Sequence, residues 1–276
     1  MGAATCRHQE SYVPRPEQAW AATGQIVSNI MHDNEISQRP TGIAQRDGAL
    51  PGVAILTFLD LLPGDILLYR PMRPGYVQRR ISAVTESPYA HAAIYVGDGK
   101  VAEALAGWFL QGVVKNDLTQ SIVGTQCVGV LRSQLGFKWD RPARLKQFVD
   151  DVCSRGRRYN LLAILNFKRD SRRFFDNQLQ YIHENYGKSA PTESFARRAY
   201  FCSAFVVACY VAVGIIGERG QVAYPEGLFS PGHLARDPTF GWLLGYLVSK
   251  GGSVPKGDPL SKTASLWRNC PSLRWW

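Results

Sequence analysis

The hydrophobic positions downstream of Leu61 fall into short runs that are separated by glycine-containing turns. Apolar runs of this length, joined by tight turns, are typical of antiparallel strands. The pattern predicts a first strand in "GDILLYR", directly after a Pro63-Gly64 turn. Four further strands are predicted in "HAAIYVG", "KVAEALA", "GVVKNDL" and "QCVGVLRS".

The spacing of apolar residues becomes helical after Trp139. The segment "RPARLKQFVDDVCSRG" has Pro142 near its start and Gly156 after its end, where helices favour these residues. "NLLAILNFKRDSRRFFDNQLQYIHENYG" predicts one or two more helices, and "RPGYVQRRISAVT" a short helix or a loop. Strands first and helices later indicate an α+β fold, with a small antiparallel sheet or barrel packed on a helix bundle.

The most apolar segment runs from Ala199 to Ile216 and reaches the lower length limit for a membrane span. It contains cysteine, serine and tyrosine, and no polar loop pairs it with a second span. A sheet of this size also needs a helix against it. We therefore predict a central buried helix that begins near residues 197–201 and has Cys202 in its first turn.

Three regions are predicted along the chain. Residues 1–55 form an N-terminal appendage, helical or partly disordered, residues 56–250 the main domain, and residues 251–276 a C-terminal tail. The N-terminus lacks the apolar stretch of a signal peptide, and Cys6 stands where a myristoylation motif requires Ser or Thr. We expect synthesis in the cytoplasm.

The 276-residue chain carries a formal net charge of +10, which favours anionic partners or serves solubility alone. Residues 155–198 concentrate this charge, with four acids against ten basic residues: Arg155, Arg157, Arg158, Lys168, Arg169, Arg172, Arg173, Lys188, Arg197 and Arg198. A solvated helix face would show the same pattern. The six cysteines include no Cys-x-x-Cys pair, which argues against structural zinc. No nucleic-acid-binding motif is present, and we expect no nucleic-acid partner.

The predicted helix start gives Cys202 the environment of a reactive cysteine, because free N–H groups and the helix dipole stabilise a thiolate there. His91 is a candidate general base for such a thiol. Glu103 could orient the far ring nitrogen of that histidine. The alternatives are an inert core cysteine, a hydrogen-bonded core histidine, and a Glu103 that faces solvent beside Lys100.

The hairpin register decides whether His91 and Glu103 can meet. A two-residue Asp98-Gly99 turn would place them on opposite faces of the sheet. A three-residue turn from Gly97 to Gly99 would pair Val96 with Lys100 and Ala93 with Glu103. His91 and Glu103 would then share a face as diagonal neighbours. We predict this second register.

Three motifs together resemble one family: "PGDILLYRP", "YAHAAIYVGDGKVAEAL" and the late "YFCSAFVVACY". They are similar to the circularly permuted NlpC/P60 (papain-like) superfamily, and most of all to YiiX/YaeF-like amidases and lecithin:retinol acyltransferase-like proteins. The likeness covers roughly residues 61–237. It implies a permuted papain-like fold with Cys202 as nucleophile, His91 as base and Glu103 as the third group. It implies no cofactor and no metal.

The resemblance implies a cysteine hydrolase that cleaves an acyl ester or amide through a thioacyl-enzyme. The sequence Phe-Cys-Ser-Ala departs from the Asn-Cys-Glu-His of the acyltransferase branch, which favours hydrolysis over acyl transfer. Membrane lipid is the favoured substrate, because of the positive charge and the apolar stretch "FGWLLGYLV", expected to be exposed.

Two alternatives stay open: a peptidoglycan amidase or endopeptidase, and a non-catalytic basic binding protein. On either enzymatic interpretation, the chain could be an antibacterial effector from a bacterium. It would then be exported by a specialised secretion system and have an immunity or delivery protein as partner.

Overall fold

The structure is a computed structural model, and it describes residues 54–105, 112–134, 137–156, 161–188, 195 and 198–262. The predicted appendage, residues 1–55, therefore lies almost entirely outside the described residues. The described part is a mixed α+β fold built on an open antiparallel sheet. The α+β class predicted from the order of strands and helices is confirmed.

Six strands form the sheet in the order β4-β3-β2-β1-β5-β6. Their bounds are β1 Ile66–Pro71, β2 His91–Gly97, β3 Lys100–Leu105, β4 Gly112–Asp117, β5 Thr125–Arg132 and β6 Trp242–Leu247. Five of them match the runs predicted from the sequence, and each neighbouring pair is antiparallel. The tight turn between β2 and β3 explains why that pair is antiparallel, because only antiparallel strands can be joined so closely.

Seven α-helices fall within the described ranges. They are α1 Tyr76–Thr85, α2 Leu118–Ser121, α3 Arg141–Ser154, α4 Leu161–Asp176, α5 Gln178–Asn185, α6 Cys202–Ala212 and α7 Pro231–Leu234. Pro142 lies in the first turn of α3 and Gly156 follows its end with a positive φ, as the sequence predicts. The long basic segment after α3 contains two helices, α4 and α5.

Helix α6 is apolar on all sides, and all eleven of its residues are buried. It packs against one face of the sheet in a core that includes Ile66, Leu68, Ala92 and Ile94. Its predicted role as a central core helix is confirmed. No helix of the described residues combines the length and apolarity that crossing a membrane would require.

A second apolar cluster covers the other face of the sheet. It contains Leu67, Tyr69, Ala93 and Tyr95, the strand positions that alternate with those facing α6. Because both faces of the central strands are buried, the strands read as continuous apolar runs.

The apolar stretch "FGWLLGYLV" was expected to be exposed, and this prediction is wrong. It forms β6, which pairs with β5, and Phe240, Tyr246 and Leu247 are buried. Tyr246 also exchanges backbone hydrogen bonds with Ala54 and Leu56. The residues are apolar because they form the edge of the sheet and part of its core, so they do not present a docking surface.

Candidate active site

The β2–β3 hairpin brings His91 and Glu103 into contact. Ala93 pairs with Glu103, as predicted, and His91 Nε2 lies 2.6 Å from Glu103 Oε2. The shared face follows from the register, because residues two apart along a strand point the same way. The expected third-group contact to the far ring nitrogen is therefore present.

The turn that produces this register differs from the predicted one. Gly97 pairs with Lys100 across a two-residue Asp98-Gly99 turn, in which both residues have positive φ. The ladder then shifts between Tyr95 and Gly97, so that Val96 is an extra residue. This bulge returns Glu103 to the same face of the sheet as His91, whereas a two-residue turn without a bulge would have placed them on opposite faces. The predicted three-residue turn and its Val96–Lys100 pairing are wrong, although the predicted Ala93–Glu103 pairing is correct.

Cys202 is the first residue of α6, and Phe201 precedes it in an extended conformation as the N-cap. The N–H groups in the first turn of a helix have no acceptor within that helix. The backbone N–H of Ser203 donates to the Cys202 sulfur, and so does the N–H of Ala92 at the start of β2. The predicted position of Cys202, in the first turn of the buried helix, is confirmed.

His91 hydrogen-bonds the Cys202 side chain. Because Nε2 faces Glu103, Nδ1 is the ring nitrogen left for the sulfur. Helix α6 packs on one face of the sheet, whereas the alternation along β2 places His91 on the other face. The two side chains therefore meet at the end of β2 where His91 lies. The β2–β3 pairing stops at Ala93–Glu103, which leaves the first residues of β2 open to the helix start.

The charges in the site support one another. Burial alone would raise the pKa of the Cys202 thiol, but the hydrogen bond and charge of His91, with the two backbone N–H groups, lower it below its usual value. Burial disfavours protonated His91, yet its bonds to Cys202 and Glu103 raise its pKa to about 10. Between these two pKa values the pair is a thiolate and an imidazolium.

The other described cysteines show the opposite behaviour. Burial raises the pKa of Cys127 to about 12, and it raises the pKa of Cys153 and of Cys209 as well. All of the described cysteines, Cys202 included, are free thiols. Among them, Cys202 is thus the one whose thiol pKa is lowered instead of raised.

Two residues that the sequence did not indicate complete the surroundings of the site. Asn116 on β4 donates through Nδ2 to Glu103 Oε1 at 2.8 Å, so both carboxylate oxygens are bonded. Burial alone would raise the pKa of Glu103, but the bond to His91 and the one from Asn116 lower it. The ring of Tyr69 on β1 lies 5.2 Å from the imidazole and packs against it. Asn116 and Tyr69 come from neighbouring strands whose registers no local motif reveals.

The motif aspartate of "PGDILLYRP" has a different environment. Asp65 is buried and receives a two-pronged ion pair from Arg132 on β5, at 2.8 and 2.7 Å. Its carboxylate also accepts from the N–H of Leu62. These contacts attach the residues just before β1 to β5, so the role of Asp65 is structural.

Within the described ranges, no group of three or more metal-ligating side chains could hold a metal ion. No protein-family profile matches the chain, and no curated protein matches it either.

Proposed function

We propose that the chain is a thiol hydrolase that cleaves acyl esters or amides, with Cys202 as nucleophile, His91 as general acid and base, and Glu103 as the residue that orients His91. The observation that carries the proposal is the hydrogen bond between His91 and Cys202 at the start of a buried helix. A non-catalytic binding protein would have no need for a desolvated thiol with a lowered pKa beside a histidine and a buried carboxylate.

In the first half of the reaction, the Cys202 thiolate attacks the acyl carbonyl carbon and forms a C–S bond. The carbonyl oxygen takes up the negative charge, and the backbone N–H of Cys202 is placed by the helix start to donate to it. The tetrahedral intermediate collapses to a thioester and breaks the bond to the leaving group. The His91 imidazolium gives its proton to that alcohol or amine.

In the second half, neutral His91 accepts a proton from water as the water oxygen attacks the thioester carbon. The C–S bond breaks, the acyl group leaves as a carboxylic acid, and the thiolate–imidazolium pair is regenerated. Glu103 stays ionised throughout and stabilises the imidazolium through Nε2. An alcohol in place of water would make the same cycle an acyl transfer.

Phospholipid is the substrate class that we favour. Beside His91 lies the end of β1, because Tyr69 pairs with His91. The chain just beyond it exposes Met72 and Tyr76, and the neighbouring turn exposes Val123. Arg73 and Arg79 are exposed in the same region. Apolar side chains interspersed with cations, on a chain of net charge +10, suit the surface of an anionic bilayer.

A permuted papain-like fold is part of this proposal. In chain order, the histidine strand precedes the cysteine helix, which is the reverse of ordinary papain-like enzymes. The sheet order, the helix packed on one face and the Cys202–His91–Glu103 contacts fit such a permutation.

The proposal is tested by incubating a membrane phospholipid extract with the protein and recording lipids by mass spectrometry. We expect lysophospholipid and free fatty acid with the unmodified protein and with Cys209→Ala, a matched control from the same helix. We expect neither product with Cys202→Ala.

Unchanged lipids, with muropeptides released from purified peptidoglycan only when Cys202 is present, would move the substrate to the cell wall. Equal products from Cys202→Ala would remove Cys202 from the mechanism altogether.

A further inference from the structure

A pocket of about 150 Å³ lies between the C-terminal end of α1, helix α4 and helix α7. Its lining includes the rings of Phe167, Phe175 and His233, and five charged side chains. None of the residues that act in the proposed chemistry lines this pocket, so the charged and aromatic lining needs a separate explanation.

The charged lining carries more positive than negative groups. Lys168 and Arg172 come from α4 and Arg236 from the turn after α7, against Glu86 and Asp176. Arg172 and Glu86 are 3.4 Å apart, and both are largely exposed. Arg236 Nε donates to the carbonyl of Gly232, which holds its guanidinium at the pocket. Lys168 makes no ion pair with any residue in the described part of the chain.

A buried hydroxyl in the lining has no partner. Thr85, the last residue of α1, is only 8 % exposed, and its Oγ1 makes no hydrogen bond to any described residue. A buried polar atom without a partner costs free energy. In a pocket wall, such an atom indicates a ligand that supplies the missing bond.

One aromatic residue of the lining contacts the residue that precedes the nucleophile. Phe167 packs edge-on against Phe201, with ring centroids 5.8 Å apart, and Phe201 directly precedes Cys202. Phe175 packs against His233 at 4.3 Å. His233 Nδ1 accepts from the N–H of Ser230, and burial lowers the pKa of His233 to about 4. The His233 side chain that lines the pocket is therefore uncharged at pH 7.

We propose that this pocket binds a phosphate group through Lys168, Arg172, Arg236 and the hydroxyl of Thr85. Three cations and one hydroxyl donor match the oxygens of a phosphate, which accept charge-assisted hydrogen bonds. Together with the proposed function, on which this further step rests, the pocket receives the headgroup phosphate of a glycerophospholipid. The ester of that lipid would then lie towards Cys202.

The test is calorimetric titration of the Cys202→Ala protein, which binds without turnover. The probes are glycerophosphoglycerol, which is deacylated phosphatidylglycerol, and inorganic phosphate. We expect both to bind. Tighter binding of the diester assigns the pocket to a lipid headgroup, and tighter binding of inorganic phosphate assigns it to a free phosphate.

Four variants, each made in the Cys202→Ala protein, separate a built site from general attraction. Lys168→Ala should weaken binding about tenfold, the value of one hydrogen bond to a charged group. Arg169→Ala is the matched control, because Arg169 is the exposed neighbour of Lys168, pairs with Asp170 and does not line the pocket. Asp176→Asn should strengthen binding, since it removes a carboxylate from the lining.

Thr85→Val should weaken phosphate binding and leave the melting temperature unchanged or higher, because the lost hydroxyl makes no hydrogen bond to any described residue. The proposal is overturned if neither probe binds, if Lys168→Ala and Arg169→Ala weaken binding equally, or if Asp176→Asn weakens it. Lipid cleavage is measured separately with intact Cys202. Phosphate binding without lipid cleavage would therefore leave the pocket in place and reject the lipid substrate.

Discussion

At the scale of single residues, His91 is held by groups from several elements. Glu103 on β3 hydrogen-bonds Nε2, Cys202 at the start of α6 hydrogen-bonds the other ring nitrogen, and Tyr69 on β1 packs against the ring. Asn116 on β4 holds the second oxygen of Glu103. Together these contacts hold the imidazole in one orientation, with Nε2 towards Glu103 and the other ring nitrogen towards Cys202.

Glu103→Gln should lower kcat by roughly 10² to 10⁴, as loss of the orienting carboxylate does in comparable triads. The change also has a pH signature. Glu103 helps to raise the pKa of His91, so its loss lowers that pKa from about 10 and moves the alkaline limb of kcat/KM to lower pH. A less readily protonated His91 stabilises the Cys202 thiolate less, so the acid limb moves to higher pH.

The active pH window should therefore narrow from both sides, which a pH profile of ester hydrolysis measures. Asn116→Ala should cause a smaller loss, about tenfold. Lys115→Ala is the matched control, because Lys115 points away on the same strand and pairs with Asp150. An unmoved alkaline limb in Glu103→Gln would show that Glu103 does not act through His91.

At the scale of elements, the β2–β3 hairpin determines whether the site can form. The two glycines of its turn differ: Gly97 has φ 98, whereas Gly99 has φ 68, within the left-handed region that asparagine tolerates. Gly97, with its positive φ, directly follows Val96, the extra residue of the bulge. The sequence of the turn thus controls the face on which Glu103 lies.

Gly97→Asn should lower the free energy of unfolding by about 1 to 3 kcal/mol, because an L side chain is strained at that φ. Gly99→Asn should cost less than about 1 kcal/mol. Urea unfolding of the two variants measures the difference. Equal destabilisation would mean that the turn does not need glycine at 97 for its backbone geometry.

Much of this hairpin could be predicted from the sequence. The apolar runs predicted β2 and β3, and the long apolar segment predicted a buried helix with Cys202 in its first turn. The turn type could not be predicted, since Gly97-Asp98-Gly99 suits either a two-residue or a three-residue turn and the bulge depends on the finished sheet. The roles of Asn116 and β6 were not predicted for a related reason. They depend on pairing between strands, which periodicity along the chain does not encode.

At the scale of the whole molecule, one buried carboxylate ties distant segments together. Asp258 is 1 % exposed and accepts from Tyr89 at 2.5 Å, from Tyr246 at 2.8 Å and from Arg70 at 2.9 Å. Tyr89 lies two residues before His91, Tyr246 is on β6 and Arg70 is on β1. The segment around Asp258, predicted as part of a tail, is therefore packed against the sheet.

Asp258→Asn should lower the free energy of unfolding by about 2 to 4 kcal/mol, because it removes the charge that its buried partners face. Asp117→Asn is the control, since Asp117 forms a solvent-exposed ion pair with Lys100. Such pairs contribute about 1 kcal/mol or less to the free energy of unfolding. Thermal and urea unfolding measure both. Similar small losses in the two variants would mean that Asp258 does not anchor this segment.

The thioacyl-enzyme is the species that distinguishes this mechanism from every non-covalent alternative. We would mix the protein with p-nitrophenyl octanoate, quench with acid within the first turnover, and record the intact mass and the modified peptide. The mechanism predicts one octanoyl group on Cys202, removed by neutral hydroxylamine and absent from Cys202→Ala. No adduct while the ester is hydrolysed, or the same adduct in Cys202→Ala, would contradict it.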